Sequence, residues 1–550
     1  MSMQLSIGKT LTLIFLAGLL LYGCSRKSGD KIMFPSPAKA GNPSPADAST
    51  DASINTDLTW NTAAMADSYD VYFGTVESSV TNATSASPEF KGNQTGTAYT
   101  PGALAYSTTY YWRLDSKNTY GTAKGDVWSF TTRAQPSADA WTRTWGGSNG
   151  DYLLGIAFDS SGNVYSAGIT FSFGTGGLDT LALMHNELGE LQWVKTWGGN
   201  GGEELFDVAV SESGIMYCAG SSGSFGAGST DGLILEYNSS GVLQNAVTWG
   251  GGNGDRFSGV ALDNDGNIYC AGYTVSFGAG GSDALLVKFN NSNELQWAKT
   301  WGGGNHDEIS GVAVDLNGDI YCAGWTYTYG AGDRDALLLK YNSSGALQWA
   351  KTWGGGEWDE VYGVAVDSNN NVYCAGTTYG FGATSCDSLL LKFDGTGVLQ
   401  WARTWHGSGH DETGGVAVNS DGHVYCAGNA QGGGFGPGGD DALVLKYDGS
   451  GTLLWAKIWG GDSGDNAYGV AVRAGGSQLG LCGETQSYTG SWQDITSGIG
   501  ANPTGTQGSP AGLESSPSGT TGVASGTENS PTGSESGAGD SDALIQITGQ

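Results

Sequence analysis

The chain has 550 residues, among them 95 Gly, 25 Tyr, 19 Trp and 16 Phe but only 12 Pro. Such aromatic content excludes a wholly disordered chain, and so little proline excludes a collagen-like one. A formal charge of −31 repels phosphate backbones, so nucleic acid is not an expected partner. Abundant glycine with abundant aromatics predicts an all-β protein with many tight turns.

The first segment carries one positive charge, Lys9, before a largely apolar run from Thr10 to Tyr22. That run is too short to span a bilayer and has the length of a signal-peptide apolar region. It ends in Leu21-Tyr22-Gly23-Cys24, which resembles the bacterial lipoprotein signal. The resemblance implies removal of residues 1–23 and lipidation of Cys24. Ser25, rather than Asp, then implies the outer membrane as destination. Residues 24–42 are polar and rich in Pro, Ser and Ala, the composition of a tether.

Residues 43–133 show short alternating runs. Leu58 and Trp60 share one face, Tyr69 to Phe73 alternates again, and Tyr110 to Leu114 and Trp128 to Thr131 repeat the pattern. The stretch Leu104 to Tyr110 has the form of a tyrosine corner, with Tyr106 where proline is usual. The segment resembles a fibronectin type III domain, which implies a small β-sandwich. Its expected role is that of a spacer, with sugar or protein binding as the alternative.

From residue 140 to 550 the chain repeats. Trp145, Trp197, Trp249, Trp301, Trp353 and Trp405 are spaced by 52 residues, and Trp459 follows after 54. A period of this length indicates a solenoid or a propeller. Each unit predicts four strands, as in Gly311–Val314, Ile320–Gly324, Asp335–Tyr341 and Leu347–Trp353. The third is nearly continuous Leu, as expected where both faces are covered. The fourth carries Trp at i and i+4 on one face. Lys195, Lys299, Lys351, Arg403 and Lys457 lie between such Trp pairs, where charge on an outer strand resists edge-to-edge pairing. Seven first strands are counted. The seventh unit lacks a fourth strand, and a spare one, Trp141 to Trp145, precedes the first unit. The expected fold is therefore a β-sandwich followed by a seven-bladed propeller closed by its N-terminal strand. The motif Tyr-Cys-Ala-Gly, then Gly-Ala-Gly, then Asp-Ala-Leu-Leu-Leu-Lys-Tyr-Asn resembles the bacterial SBBP β-propeller repeat, which implies a fold and a surface context but no particular reaction. In the seventh unit, residues 485–538 form a Gly-, Ser-, Thr- and Pro-rich insertion without Lys or Arg, read as a disordered loop, with a lid as the alternative.

Cys218, Cys270, Cys322, Cys374, Cys426 and Cys482 recur once per unit. Equivalent atoms of neighbouring units at ~10 Å radius lie ~9 Å apart, beyond the ~7 Å that disulfide Cα atoms allow, so buried thiols are expected. Cys386 falls in a loop before Asp387 and is expected to reach solvent. Asp151, Glu203, Asp255, Asp307, Asp359, Asp411 and Asp465 recur just before each first strand. On one rim these acids, with His306, Trp358 and His410 beside three of them, are the candidate binding residues. Their plain alternative is a repeated hydrogen-bonded turn, and a divalent cation between adjacent acids is a further one. Asp263-Asn264-Asp265-Gly266-Asn267 lacks the distal Glu of an EF-hand and reads as a hairpin turn. Asp394, Gly397 and Trp401 have the spacing of the tryptophan-docking motif of quinoprotein propellers, which accounts for packing and brings no quinone. No nucleophile elbow, His-Glu-x-x-His or Cys-x-x-Cys occurs, so no catalytic residues, metal ligands or cofactor are assigned. The expected protein is a monomeric, lipid-anchored, non-enzymatic cell-envelope binding, adhesion or scaffold protein that meets a protein or glycan. The alternative is a carbohydrate-active hydrolase or lyase using funnel carboxylates.

Overall fold

A computed structural model describes residues 35–52, 56–102, 104–105, 107–132, 140–381, 386–407, 409–431, 439–475, 478–487, 491–495, 499–501, 503–517, 519–524, 526–531 and 541–549. The signal segment, Cys24 and Tyr106 lie outside these. The described chain is all-β apart from one short helix, Glu77–Asn82. It divides into two units, residues 1–135 and 136–550.

In the first unit a three-stranded sheet contains Leu58–Asn61, and a larger sheet contains Ser68–Gly74, Thr109–Asn118 and Val127–Thr132. Leu58 and Trp60 of one sheet pack with Tyr69, Val71, Phe73, Trp112, Leu114 and Phe130 of the other. The Tyr110 hydroxyl accepts a hydrogen bond from the Ala105 amide at 2.9 Å, the local tie the corner motif requires.

The second unit consists of seven antiparallel sheets. Their first strands are Asp151–Phe158, Glu203–Val210, Asp255–Leu262, Asp307–Val314, Asp359–Val366, Asp411–Val418 and Asp465–Val472. Each packs against the next, and the seventh packs against the first. Within the fourth sheet, Asp307–Val314, Ile320–Thr326, Asp335–Tyr341 and Leu347–Gly354 pair in chain order. The first strand thus starts four residues earlier than the apolar pattern indicated. The seventh sheet takes its outer strand from Trp141–Trp145, which pairs with Asp542–Gly549.

Side-chain choices follow this geometry. Third strands such as Asp335–Tyr341 are buried at nearly every position, which explains their run of Leu. Trp301 and its equivalents are buried. The outer Trp297 lies against Gly345 of the next sheet, and Trp349 against Gly397, with both glycines at positive φ. A side chain there would strike the indole, so the Asp394–Gly397–Trp401 spacing does report docking between sheets. Asp263 closes its hairpin by accepting the amides of Asp265 and Asn267.

The 485–538 insertion is not a disordered loop where it is described. Ser491–Ile495, Ile499–Ala501, Thr506–Gly508, Leu513–Ser515, Thr520–Val523 and Thr527–Asn529 add a fifth strand to the sixth, fifth, fourth, third, second and first sheets in turn. The segment straps six outer edges in the reverse of chain order. Low hydrophobicity does not prevent this, because a strand that completes an existing sheet gains ladder hydrogen bonds without needing a core of its own.

Candidate functional site

Each first strand carries a bulge, seen as a register shift before Gly155, Asp207, Gly259, Gly311, Gly363, Gly415 and Gly469. A bulge bends its strand and re-aims one side chain. The seven bulged residues, Leu154, Phe206, Ser258, Ser310, Tyr362, Gly414 and Tyr468, line a common cavity of about 240 Å³. Inner strands approach closely here: a Cβ on Gly311 would lie 2.6 Å from the Tyr362 carbonyl oxygen. Opposite Gly259 the space is wider, with the nearest atom at 3.2 Å. Asp207 occupies the glycine position of the adjacent strand. Its carboxylate accepts the Val208 amide at 2.8 Å and, across the sheets, the Val260 amide at 2.9 Å. Burial pushes its carboxyl up to about 6.

The seven recurrent acids do not form an open rim. Asp151, Glu203, Asp255, Asp307, Asp359, Asp411 and Asp465 are all 0 % exposed. Each is the first residue of its strand and accepts the amide four residues before it, as from Gly303 to Asp307 at 2.9 Å. In most sheets a hydroxyl at the end of the second strand also donates to the acid, as from Thr378 to Asp359 at 2.5 Å and Ser222 to Glu203 at 3.1 Å. The repeated hydrogen-bonded turn is therefore their role. A strand residue flanked by glycines can tuck its carboxylate under the preceding turn, and that local closure is not visible in the 52-residue spacing alone.

The next position along the strand faces a different environment. It reads Tyr152, Glu204, Arg256, Glu308, Glu360, Glu412 and Asn466. Here, and at the bulges, the repeat breaks symmetry. Such variation within an otherwise uniform unit is the signal that could have located the site. Arg256 lies over the Phe206 ring at 3.5 Å. Glu308 accepts from the Ser282 hydroxyl at 3.0 Å and feels the charges of Arg256, His306 and Arg334. Burial nonetheless holds its carboxyl above the ordinary value. The Tyr362 hydroxyl donates to Glu360 at 2.7 Å, and Tyr468 to Glu484 at 2.7 Å.

The densest part joins the fourth and fifth sheets. Arg334 pairs with Glu360 and donates to the Tyr327 hydroxyl at 2.8 Å. Its guanidinium stacks at 4.2, 4.7 and 4.9 Å from the Trp325, Tyr327 and Trp358 rings. Trp358 meets Tyr379 edge-on at 5.8 Å, and these two rings are 41 % and 44 % exposed. Trp358 thus faces outward, and so do the two other non-acidic rim candidates, His306 and His410. The exposed His306 also turns its Nδ1 to Ser282, at 2.9 Å from the hydroxyl. His410 flanks Asp411, and its carbonyl accepts the Gln431 amide at 2.8 Å.

Cys386 is buried, not solvent-facing. Its thiol lies 3.7 Å from a Glu412 carboxylate oxygen, and burial pushes it up to about 12. The six recurrent cysteines are also buried and unpaired. No group of three or more His, Cys, Asp or Glu side chains disposed to hold a metal occurs among the described residues.

Residues 296–329 and 348–382 match the family model described as the SBBP beta-propeller repeat. The regulatory protein FlaEY of Caulobacter vibrioides is 26 % identical over 174 residues, which cover 29 % of this chain and 18 % of that protein. The match therefore spans less than a fifth of the relative's length. Among solved structures, rhamnogalacturonan lyase YesW aligns with a TM-score of 0.31 at 12 % identity, over 82 % of this chain and 89 % of that one. The rhamnogalacturonan lyase PL11 of Bacillus licheniformis aligns with a TM-score of 0.26 at 14 % identity, over 76 % of each chain. Two successive units of this all-β chain are thus matched to the SBBP β-propeller repeat.

Proposed function

We propose that this chain is a non-enzymatic binding or adhesion platform of the cell envelope. In this reading Cys24 carries a lipid anchor to the outer membrane, and residues 43–133 form a fibronectin type III-like spacer. The seven sheets close as a seven-bladed propeller, and its asymmetric axial face meets a protein or glycan. The observation that carries the reading is the Arg334 cluster. Two exposed rings, Trp358 and Tyr379, stand beside a guanidinium whose position is fixed by Glu360 and Tyr327. Aromatic planes give stacking area at little entropic cost, and a fixed charged donor gives orientation. The test is to probe glycan and peptide arrays with the chain and with a Trp358→Ala/Tyr379→Ala variant. Binding by the parent that the variant loses at unchanged stability supports the reading. Binding that survives the double change removes it.

A carbohydrate-active hydrolase or lyase is the second reading. Glu308 favours it, as a half-buried carboxyl held above its ordinary value beside Arg256 and Tyr273. Release of sugar from a polysaccharide panel, abolished by Glu308→Gln, would replace the binding reading with this one.

A further inference from the structure

The strap follows a rule that its composition conceals. From Gly505 it runs in heptads, with Gly505, Gly512, Gly519 and Gly526 heading each one. Seven extended residues reach at most about 25 Å, and each heptad advances the strap by one sheet. The four glycines lie on the inner tryptophans of four successive sheets. A Cβ on Gly505 would come within 2.4 Å of Trp353, on Gly512 within 2.2 Å of Trp301, on Gly519 within 2.3 Å of Trp249 and on Gly526 within 2.3 Å of Trp197. Any other residue at these points would lift the strand from the indole.

A second contact repeats four positions later. Lys351 donates to the Ser509 hydroxyl at 2.8 Å, Lys299 to Ser516 at 2.8 Å and Lys195 to Ser530 at 2.9 Å. Lys195 also pairs with Glu528 at 3.0 Å. In the second sheet the lysine position is Val247, and the strap residue opposite it is Val523. The exception occurs on both strands together, which ties each heptad to its own sheet.

Docking has a cost. The indole N–H groups of Trp197, Trp249, Trp301 and Trp353 are buried without a hydrogen-bond partner among the described residues. Backbone ladders, such as Thr300 to Ser515 and Thr352 to Gly508, offset this. The balance describes a ligand held by register and main-chain pairing rather than by apolar burial.

We propose that the outer edges of the first four sheets form one continuous peptide-binding groove. Its ligand class is an extended, glycine-headed heptad peptide with serine at the fifth position opposite each lysine and valine opposite Val247, and residues 505–530 occupy it in cis. The lysines that guard the outer strands are the reading heads of this groove.

The experiment uses the full chain and a variant with Gly505, Gly512, Gly519 and Gly526 each replaced by Val. Amide exchange over residues 506–529 should be about tenfold slower or more in the parent. In the variant, protease should cut within 503–531 while the sheets stay intact, and tryptophan emission should shift to the red. A synthetic 505–530 peptide added to the variant should reverse that shift, and the same peptide with four Val should not. Equal exchange in parent and variant, or equal rescue by both peptides, overturns the proposal. If the quadruple variant does not fold, Gly512→Val serves alone. It should speed exchange at Leu513–Ser515 and leave Thr520–Val523 unchanged, and a uniform or absent change again overturns it.

Discussion

Arg334, on the approach to the third strand of the fourth sheet, forms its ion pair with Glu360 on the first strand of the fifth. Trp358, just before that strand of the fifth sheet, stands on the same guanidinium.

Removing that guanidinium should free the rings and leave Glu360 buried without its cation. Arg334→Ala is expected to cost about 3 kcal/mol, as for other half-broken buried pairs. Arg334→Lys should recover only part of this, because an ammonium cannot stack as a planar guanidinium does. Thermal unfolding of the two variants checks both points. A melting temperature equal to the parent's for Arg334→Ala would mean that the cluster does not hold the sheets.

The tucked acids make a separate prediction. Thr326 donates to Asp307 and accepts the amides of Thr328 and Tyr329, each at 3.1 Å. Thr326→Val strips all three partners in a buried place and should cost about 1–3 kcal/mol. Thr326→Ser keeps the hydroxyl and should recover most of the loss. Guanidinium titration of both variants decides whether the hydroxyl or the methyl group matters.

The axial glycines should respond unequally to one added methyl group. Gly311→Ala drives a Cβ toward the backbone at 2.6 Å, whereas Gly259→Ala meets its nearest atom at 3.2 Å. The first variant should melt well below the second. A reversed order would place the narrowest approach elsewhere on the axis.

Acidity should stabilise the second unit. Burial pushes Asp179, Asp207, Asp359, Asp411, Asp441 and Asp542 up to about 6. Neighbouring carboxylates add to this, such as Glu203 beside Asp179 and Asp465 beside Asp441. Between about pH 4 and 6 the folded chain binds protons that the unfolded chain has released, so stability falls as pH rises through that window. The melting temperature should accordingly be higher at pH 5 than at pH 7. Asp179→Asn with Asp441→Asn should narrow the difference, and a flat profile in the parent would show that these carboxyls titrate normally.

The thiols are expected to be inert. Burial raises Cys218, Cys270, Cys322, Cys374, Cys426 and Cys482, and the thiolate is the reactive form. Alkylation at pH 8 followed by peptide mapping should label them, and Cys386, only after denaturation.

The sequence by itself determined the units and their strands. Tryptophans 52 residues apart, continuous Leu in the third strand and turn glycines are local signals, each imposed by the period of a strand or the φ of a turn. It also carried the pairing of Trp141–Trp145 with the last strand, because a missing strand and a spare one can be counted. Burial was decided only by the tertiary structure. Asp307 and Glu308 are adjacent acids, yet one closes a turn at 0 % exposure while the other joins the axial network beside Arg334. The two point to opposite faces of one strand, and only the packing of neighbouring sheets decides what covers each face. The strap shows the same division. Its heptads are present in the sequence, but glycine and serine acquire a register only when an indole and a lysine of another sheet stand opposite them.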